Sequence, residues 1–250
     1  MARIVVIGGS GLIGSKVVAK LGRDGHDVIA ASPQSGVNTV TGEGLGRVLE
    51  GCNVVVDVSN SPSFEEKASM DFFTAATTNL LREAAAAGVG HYVALSVVGA
   101  QRLTETPYMR AKVAQEEMIR NSALPYSIVH ATQFFEFVNG IADDATVDGV
   151  VRVPDALIEP MAADDVAAAV ARTAVGDPVN GIVEVAGPET FGLDALIRKA
   201  LSIQGDPRKV VTDPDSRYFG AHLAERTLVP AGDARISTTR FEDWIAHSAR

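Results

Sequence analysis

The stretch from Arg3 to Val18 constrains this chain more than any other: Arg-Ile-Val-Val-Ile-Gly-Gly-Ser-Gly-Leu-Ile-Gly-Ser-Lys-Val-Val. A short apolar run rich in β-branched residues predicts a strand buried on both faces. Four glycines then turn the chain into a helix whose Leu12, Val17, Val18 and Leu21 are spaced to face a sheet. Gly9, Gly11 and Gly14 fit G-x-G-x-x-G, and Gly8, Gly11 and Gly14 fit the looser G-x-x-G-x-x-G. Glycines at these points permit a tight turn, close approach of a pyrophosphate and close packing of helix on strand. The helix N-terminus offers unpaired N–H groups and partial positive charge to phosphates. With the strand before it and the helix after it, the turn predicts dinucleotide binding.

The rest of the first half alternates strand and helix patterns with short connections, as in a doubly wound parallel α/β sheet, the Rossmann fold. Strands are expected at Asp27–Ala31, Asn53–Val58, His91–Leu95 and Tyr126–Ala131. Helices are expected at about Gly44–Leu49, Phe64–Ala87 (opened by a Ser63/Glu66 capping box) and Tyr108–Asn121. Beyond this the pattern loosens. Helices are read at Phe134–Ala145, Asp164–Ala174, Leu193–Ile203, Ser216–Leu223 and Thr239–Ala249, and strands at Val150–Val153 and Ile182–Ala186. The expectation is one domain over residues 1–250, with segments 134–160 and 188–250 forming a small C-terminal α/β cap.

Composition narrows the class. Hydrophobic residues at 46% and charged residues at 21% argue for a packed core. A net charge of −9, spread along the chain, argues against a nucleic-acid surface. Cys52 is the only cysteine, so no intrachain disulfide forms, and it reads as a small buried hydrophobe. No apolar run nears the ~20 residues of a membrane span. A cytoplasmic protein with no membrane partner is expected. The five histidines show no ligand spacing, so no metal site is expected.

The segment after the second predicted strand reads Ala-Ala-Ser-Pro-Gln-Ser-Gly over residues 30–36. It lacks the acid that commonly binds the ribose hydroxyls of NAD, and no arginine or lysine lies between Arg23 and Arg47 to clamp a 2′-phosphate. Ser32, Gln34, Ser35 and loop N–H groups would form an uncharged phosphate nest, which favours NADP, with NAD as the alternative. A second constellation is Ser96, at the end of the fourth strand, with Tyr108 and Lys112 on one helix face. A lysine lowers a nearby tyrosine's pKa, making it a proton donor, and a serine hydroxyl polarises a carbonyl oxygen. The three residues are the candidate catalytic set.

The glycine turn, Ser96 and Tyr108-x-x-x-Lys112 together resemble the short-chain dehydrogenase/reductase superfamily. The wording is closest to its atypical, NmrA-like branch of NAD(P)H-binding proteins, through Asn79-Leu80-Leu81, His91-Tyr92-Val93, Pro125 to Val129 leading to Thr132-Gln133-Phe134, Pro160-Met161-Ala162, Asp164 to Ala167 and Ala186-Gly187-Pro188-Glu189. The resemblance implies that Gly8, Ser10, Gly11, Leu12 and Ile13 line the pyrophosphate. Ser32, Gln34 and Ser35 would face the adenine ribose, and Ser59, Asn60 and Ser61 the adenosine or nicotinamide ribose. Lys112 would hold the nicotinamide ribose, and Thr132 and Gln133 would flank its amide. Phe134, Phe135, Phe137 and Met161 are candidates for an apolar substrate pocket. Two positions depart from the family pattern: Phe73 replaces a relay asparagine, and His130 stands where arginine is common.

The leading expectation is reduction of a small apolar ketone or aldehyde, with Tyr108 as proton donor. The alternative is an NAD(P)H-sensing regulatory protein with little or no turnover. About 100 residues beyond the sheet leave little room for the larger substrate domain of a nucleotide-sugar epimerase or dehydratase. By analogy with relatives, a homodimer is expected.

Overall fold

The computed structural model describes residues 1–248. In chain order its elements are β1 (Arg3–Ile7), α1 (Leu12–Arg23), β2 (Asp27–Ala31), α2 (Leu45–Leu49), β3 (Val54–Asp57), α3 (Glu66–Ala86), β4 (His91–Val97), α4 (Pro107–Arg120) and β5 (Tyr126–Ala131). There follow α5 (Val138–Asp144), β6 (Thr146–Val147), β7 (Val150–Val153), β8 (Leu157–Ile158), α6 (Ala163–Val175) and β9 (Gly181–Ala186). The chain ends with β10 (Phe191–Gly192), α7 (Leu193–Gln204), β11 (Lys209–Thr212), β12 (Arg235–Ile236) and α8 (Phe241–Ser248).

Seven strands form one parallel sheet in the order β2-β1-β3-β4-β5-β9-β12. This is the expected doubly wound α/β fold. Successive residues of the buried strands feed opposite layers, because side chains alternate across a sheet. Val6, Val56 and Val93 pack with Val17 and Leu21 of α1 and with Val166 and Val170 of α6. Their neighbours Val5, Val55 and Tyr92 pack with Leu45, Leu80 and Ile119 of α2, α3 and α4. Strand order reverses beside β1, where β2 lies on one side and β3 on the other. In open α/β sheets such a reversal leaves a crevice at the strands' carboxyl ends.

A third cluster, including Leu103, Phe135, Ile141, Leu196 and Phe241, is the core of the cap. The cap carries two small sheets, β11-β7-β6 and β10-β8. The main sheet draws on the second half too: β12 of segment 188–250 pairs with β9. Some boundaries differ from the sequence reading. Ser63 accepts a hydrogen bond from Glu65 N at 3.1 Å, so α3 starts at Glu66 without the reciprocal box. Residues 216–223 are not helical: Phe219 (φ 46°) and Gly220 (φ 87°) are both left-handed, which ends any right-handed turn, and Tyr218 bridges to Ala221. Of the helix read at Thr239–Ala249, Phe241–Ser248 is helical, and Ala249 lies outside the described residues.

Candidate cofactor site

The glycine turn sits at the crevice, held to β2 by Gly8 N and Gly9 N, which both donate to Ala31 O. Gly8 has φ 76°, and a Cβ there would lie 3.0 Å from the backbone of Ser59. A Cβ on Gly14 would lie 2.1 Å from Gly8 O. The turn is therefore locked between α1 and the loop after β3. Gly11 faces outward, with only Gly8 O near its missing Cβ at 3.3 Å. Gly11 caps α1 without a side-chain hydrogen bond, and the amides of Leu12, Ile13 and Gly14 have no acceptor within the helix. Contrary to the sequence reading, Leu12 does not face the sheet: it is 41% exposed. Ile13 is buried in the core, so only its backbone is available to a ligand.

Around this cradle the structure gathers several of the expected residues. Ser10 donates a long hydrogen bond to Gln34 Oε1 at 3.4 Å, joining the first turn to the loop after β2. In that loop the Ser35 hydroxyl accepts from Ser32 N and donates to Ser32 O, each at 2.9 Å, which folds the loop back on itself. In the loop after β3, Ser59 N and Oγ donate to Asp57 Oδ1 (3.0 and 2.6 Å), and the buried Ser61 donates to Ser63 O. Asn60 Oδ1 accepts from Ser61 N at 3.0 Å and from the Tyr108 hydroxyl at 2.9 Å. Thr132 donates to Glu159 O at 2.6 Å. Beside it Gln133 is buried, and neither its amide oxygen nor its nitrogen has a hydrogen-bond partner. A buried, unsatisfied amide costs a few kcal/mol. A carboxamide, with one acceptor and one donor, is the group that would satisfy it. Glycine cradle, bare helix amides and orphaned amide together fit a nicotinamide dinucleotide.

The proposed catalytic set is distributed differently from expectation. Ser96 does not face Tyr108. Its hydroxyl donates to Glu116 Oε1 at 2.6 Å, and the same carboxylate takes Gln101, Arg120 and, at 2.8 Å, His130 Nε2. Burial pushes the Glu116 carboxyl up, but the His130 hydrogen bond and charge, the Ser96 hydrogen bond and Arg120 outweigh it and hold the group below the usual range. Lys112 is 3% exposed, and its ammonium donates to Leu95 O and Gln115 Oε1 and lies 4.6 Å from the centre of the Phe73 ring. Burial lowers it to about 8, against the opposing charges of Asp57 and Glu116. Tyr108 packs edge-on to Phe73 and against Phe64, and burial pushes its hydroxyl well above the ordinary value, not toward neutrality.

Of the four pocket candidates, Phe135 and Met161 are core: both are 1% exposed, and Phe135 packs on Phe241 and Trp244. Their aromatic and thioether bulk fills the joint between cap and sheet. Phe134 and the exposed Phe137 stack on each other at 5.3 Å and remain available to a ligand. The sequence reading missed Asp57, Gln115 and Glu116. Each carried a signal, a polar residue ending an all-valine strand or lying on the buried face of α4 with Lys112. Among the described residues no cluster of three His, Cys, Asp or Glu side chains is placed to hold a metal, and no helix is long and apolar enough to cross a membrane.

Fold and crevice define a dinucleotide-binding α/β protein of the Rossmann type. Solved structures share this architecture. A short-chain dehydrogenase/reductase superfamily protein from Agrobacterium tumefaciens with bound NAD superposes with a TM-score of 0.73 at 18% identity, over 99% of this chain and 96% of that one. A dTDP-4-dehydrorhamnose reductase from Bacillus anthracis in complex with NADP gives 0.68 at 11% identity, over 90% and 89%. In sequence, the Photosystem II assembly factor Ycf39 of Cyanophora paradoxa is 23% identical, over 84% of this chain and 71% of its own length. The profile of the NAD(P)H-binding family matches residues 8–176, and the chain belongs to that family.

Proposed function

We propose that this protein binds a nicotinamide dinucleotide in order to sense or regulate, with little turnover of carbonyl substrates. The observation that carries this reading is that Ser96, Tyr108 and Lys112 hydrogen-bond to three different partners (Glu116, Asn60 and Gln115 with Leu95 O), so no common position for a substrate oxygen is built. Phe73, standing between Tyr108 and Lys112 where relatives carry a relay asparagine, supplies no hydrogen bond. The likeness to an assembly factor supports the same direction and implies a protein partner.

In this reading the Gly8–Gly14 turn, Ser59–Ser61 and Gln133 would hold the cofactor, and Lys112 would meet the nicotinamide ribose. The bound dinucleotide would supply hydride or a redox-dependent shape. The uncharged loop at Ser32, Gln34 and Ser35 favours NADPH over NADH.

A second reading, reduction of a small apolar ketone or aldehyde, is favoured by the Tyr108 hydroxyl at the cofactor loop and by the exposed Phe134–Phe137 stack. In that case Tyr108 donates the proton, Ser96 polarises the carbonyl oxygen after leaving Glu116, and Lys112 turns from Gln115. NADPH with a panel of ketones, aldehydes and quinones separates the readings. Tight binding without oxidation of the cofactor supports the sensor, and Tyr108-dependent oxidation would replace it with the reductase.

A further inference from the structure

The carboxylate of Asp57 touches both halves of the candidate site, the loop after β3 and the Gln115–Lys112 pair on α4. It ends β3, is 2% exposed and divides its two oxygens between two tasks. Oδ1 accepts Ser59 N and the Ser59 hydroxyl at 3.0 and 2.6 Å, shaping the loop that lies against Gly8 and presents Asn60 to Tyr108. Oδ2 accepts the Tyr92 hydroxyl at 3.0 Å and Gln115 Nε2 at 3.1 Å. Because the carboxylate accepts only, it fixes which way the Gln115 amide points: nitrogen to Asp57, oxygen to Lys112. The Lys112 ammonium has three donors, and two are spent on Leu95 O and Gln115 Oε1. The third has no hydrogen-bond acceptor among the described residues and would be the one to meet a ribose hydroxyl.

We propose that Asp57 is a positioning residue of the cofactor site, holding the Ser59–Ser61 loop through one oxygen and, through the Gln115 amide, orienting Lys112. This rests on the cofactor reading above and applies whether or not the protein turns the cofactor over. With Asp57 neutralised, Gln115 is free to flip and present its NH2 to the ammonium, and the buried lysine loses an opposing charge. The titratable groups facing Lys112 are Asp57 from β3, Tyr92 from β4, and Glu116 and Tyr108 from α4, the last beyond the Phe73 ring contributed by α3.

The test is NADPH binding, followed by nucleotide fluorescence from pH 6.5 to 9.5, on the full chain. For the unaltered protein, affinity falls as pH rises through a midpoint near 8, where Lys112 loses its proton. Asp57→Asn moves that midpoint down by about one unit, which at pH 8 lowers the charged fraction of Lys112, and with it the affinity, about five-fold. At pH 6.5 the difference shrinks. Adding Gln115→Glu to Asp57→Asn puts a carboxylate back beside Lys112 and returns the midpoint, which mere structural damage would not allow. Gln115→Met, which leaves Asp57 in place, moves the midpoint the same way as Asp57→Asn and serves if that variant fails to fold. Folded variants whose midpoint stays at that of the unaltered protein overturn the proposal while leaving the cofactor reading intact. No complex at any pH removes both.

Discussion

Gly14 gives the sharpest single test of how the crevice is built. It lies in the first turn of α1 with ordinary helical backbone, so alanine there should stabilise the helix by up to ~1 kcal/mol on propensity alone. The structure predicts the opposite sign. A Cβ would meet Gly8 O at 2.1 Å, Gly8 C at 2.7 Å and Gly9 Cα at 2.8 Å, all backbone atoms that no rotamer change can move aside. Helix and turn must separate, and overpacking of this kind costs ~1–3 kcal/mol. The net expectation for Gly14→Ala is a loss of ~1–2 kcal/mol, which lowers Tm by roughly 2–8 °C in a chain of this size. The same displacement shifts the first-turn amides, so nucleotide affinity should fall at least about ten-fold. Gly22 provides the control in the same helix: nothing stands within 4 Å of its missing Cβ, and Gly22→Ala should be neutral or stabilising without change in affinity. Thermal melts and nucleotide titrations of the two variants suffice. A Gly14→Ala protein as stable and as tightly binding as its parent would refute the close-packed turn.

Other consequences follow from the buried polar groups. Gln133→Leu removes two orphaned amide atoms, so it should raise stability by about 1 kcal/mol while weakening binding of the nicotinamide end; a loss of stability in urea melts would show that the amide already has a partner. Ser96→Ala deprives Glu116 of one hydrogen bond and should cost ~1–2 kcal/mol with NADPH affinity unchanged, whereas a drop in affinity at full stability would return Ser96 to the site. Lys112 is held near 8 in the fold against 10.5 when exposed, so between those values the unfolded chain binds more protons and stability must rise with pH. Urea unfolding should show a gain of roughly 1.5 kcal/mol from pH 8 to 9.5 relative to Lys112→Met, and parallel curves for the two proteins would contradict the buried ammonium.

Much of the fold was legible in the residues because local signals and tertiary packing agree. The run Val54-Val55-Val56 can only be a strand buried on both faces, and Tyr126–Ala131 and Val150–Val153 were placed to the residue. The first-turn glycines carried the position of the crevice. Less was legible where side-chain direction decides. Ser96 ends a strand, as a substrate-facing serine should, but the pleat aims it at Glu116 on α4, a partner twenty residues away. Tyr108 and Lys112 share a helix face, yet the intervening Phe73 ring belongs to α3 and no spacing within α4 reveals it. The Phe134–Phe137 segment spread its aromatics around a short 3₁₀ turn, sending Phe135 into the core and Phe137 outward. The tail from 216 to 223 looked helical by composition, but two successive left-handed residues decided otherwise.

The most direct measurement follows backbone and side-chain amides by ¹⁵N NMR as NADPH is added. Saturable shifts at Leu12, Ile13 and Gly14, together with the side-chain NH2 of Gln133, are predicted, because the helix and the core give those groups no acceptor until a diphosphate and a carboxamide supply one. Spectra unchanged at those positions up to millimolar nucleotide would contradict the account.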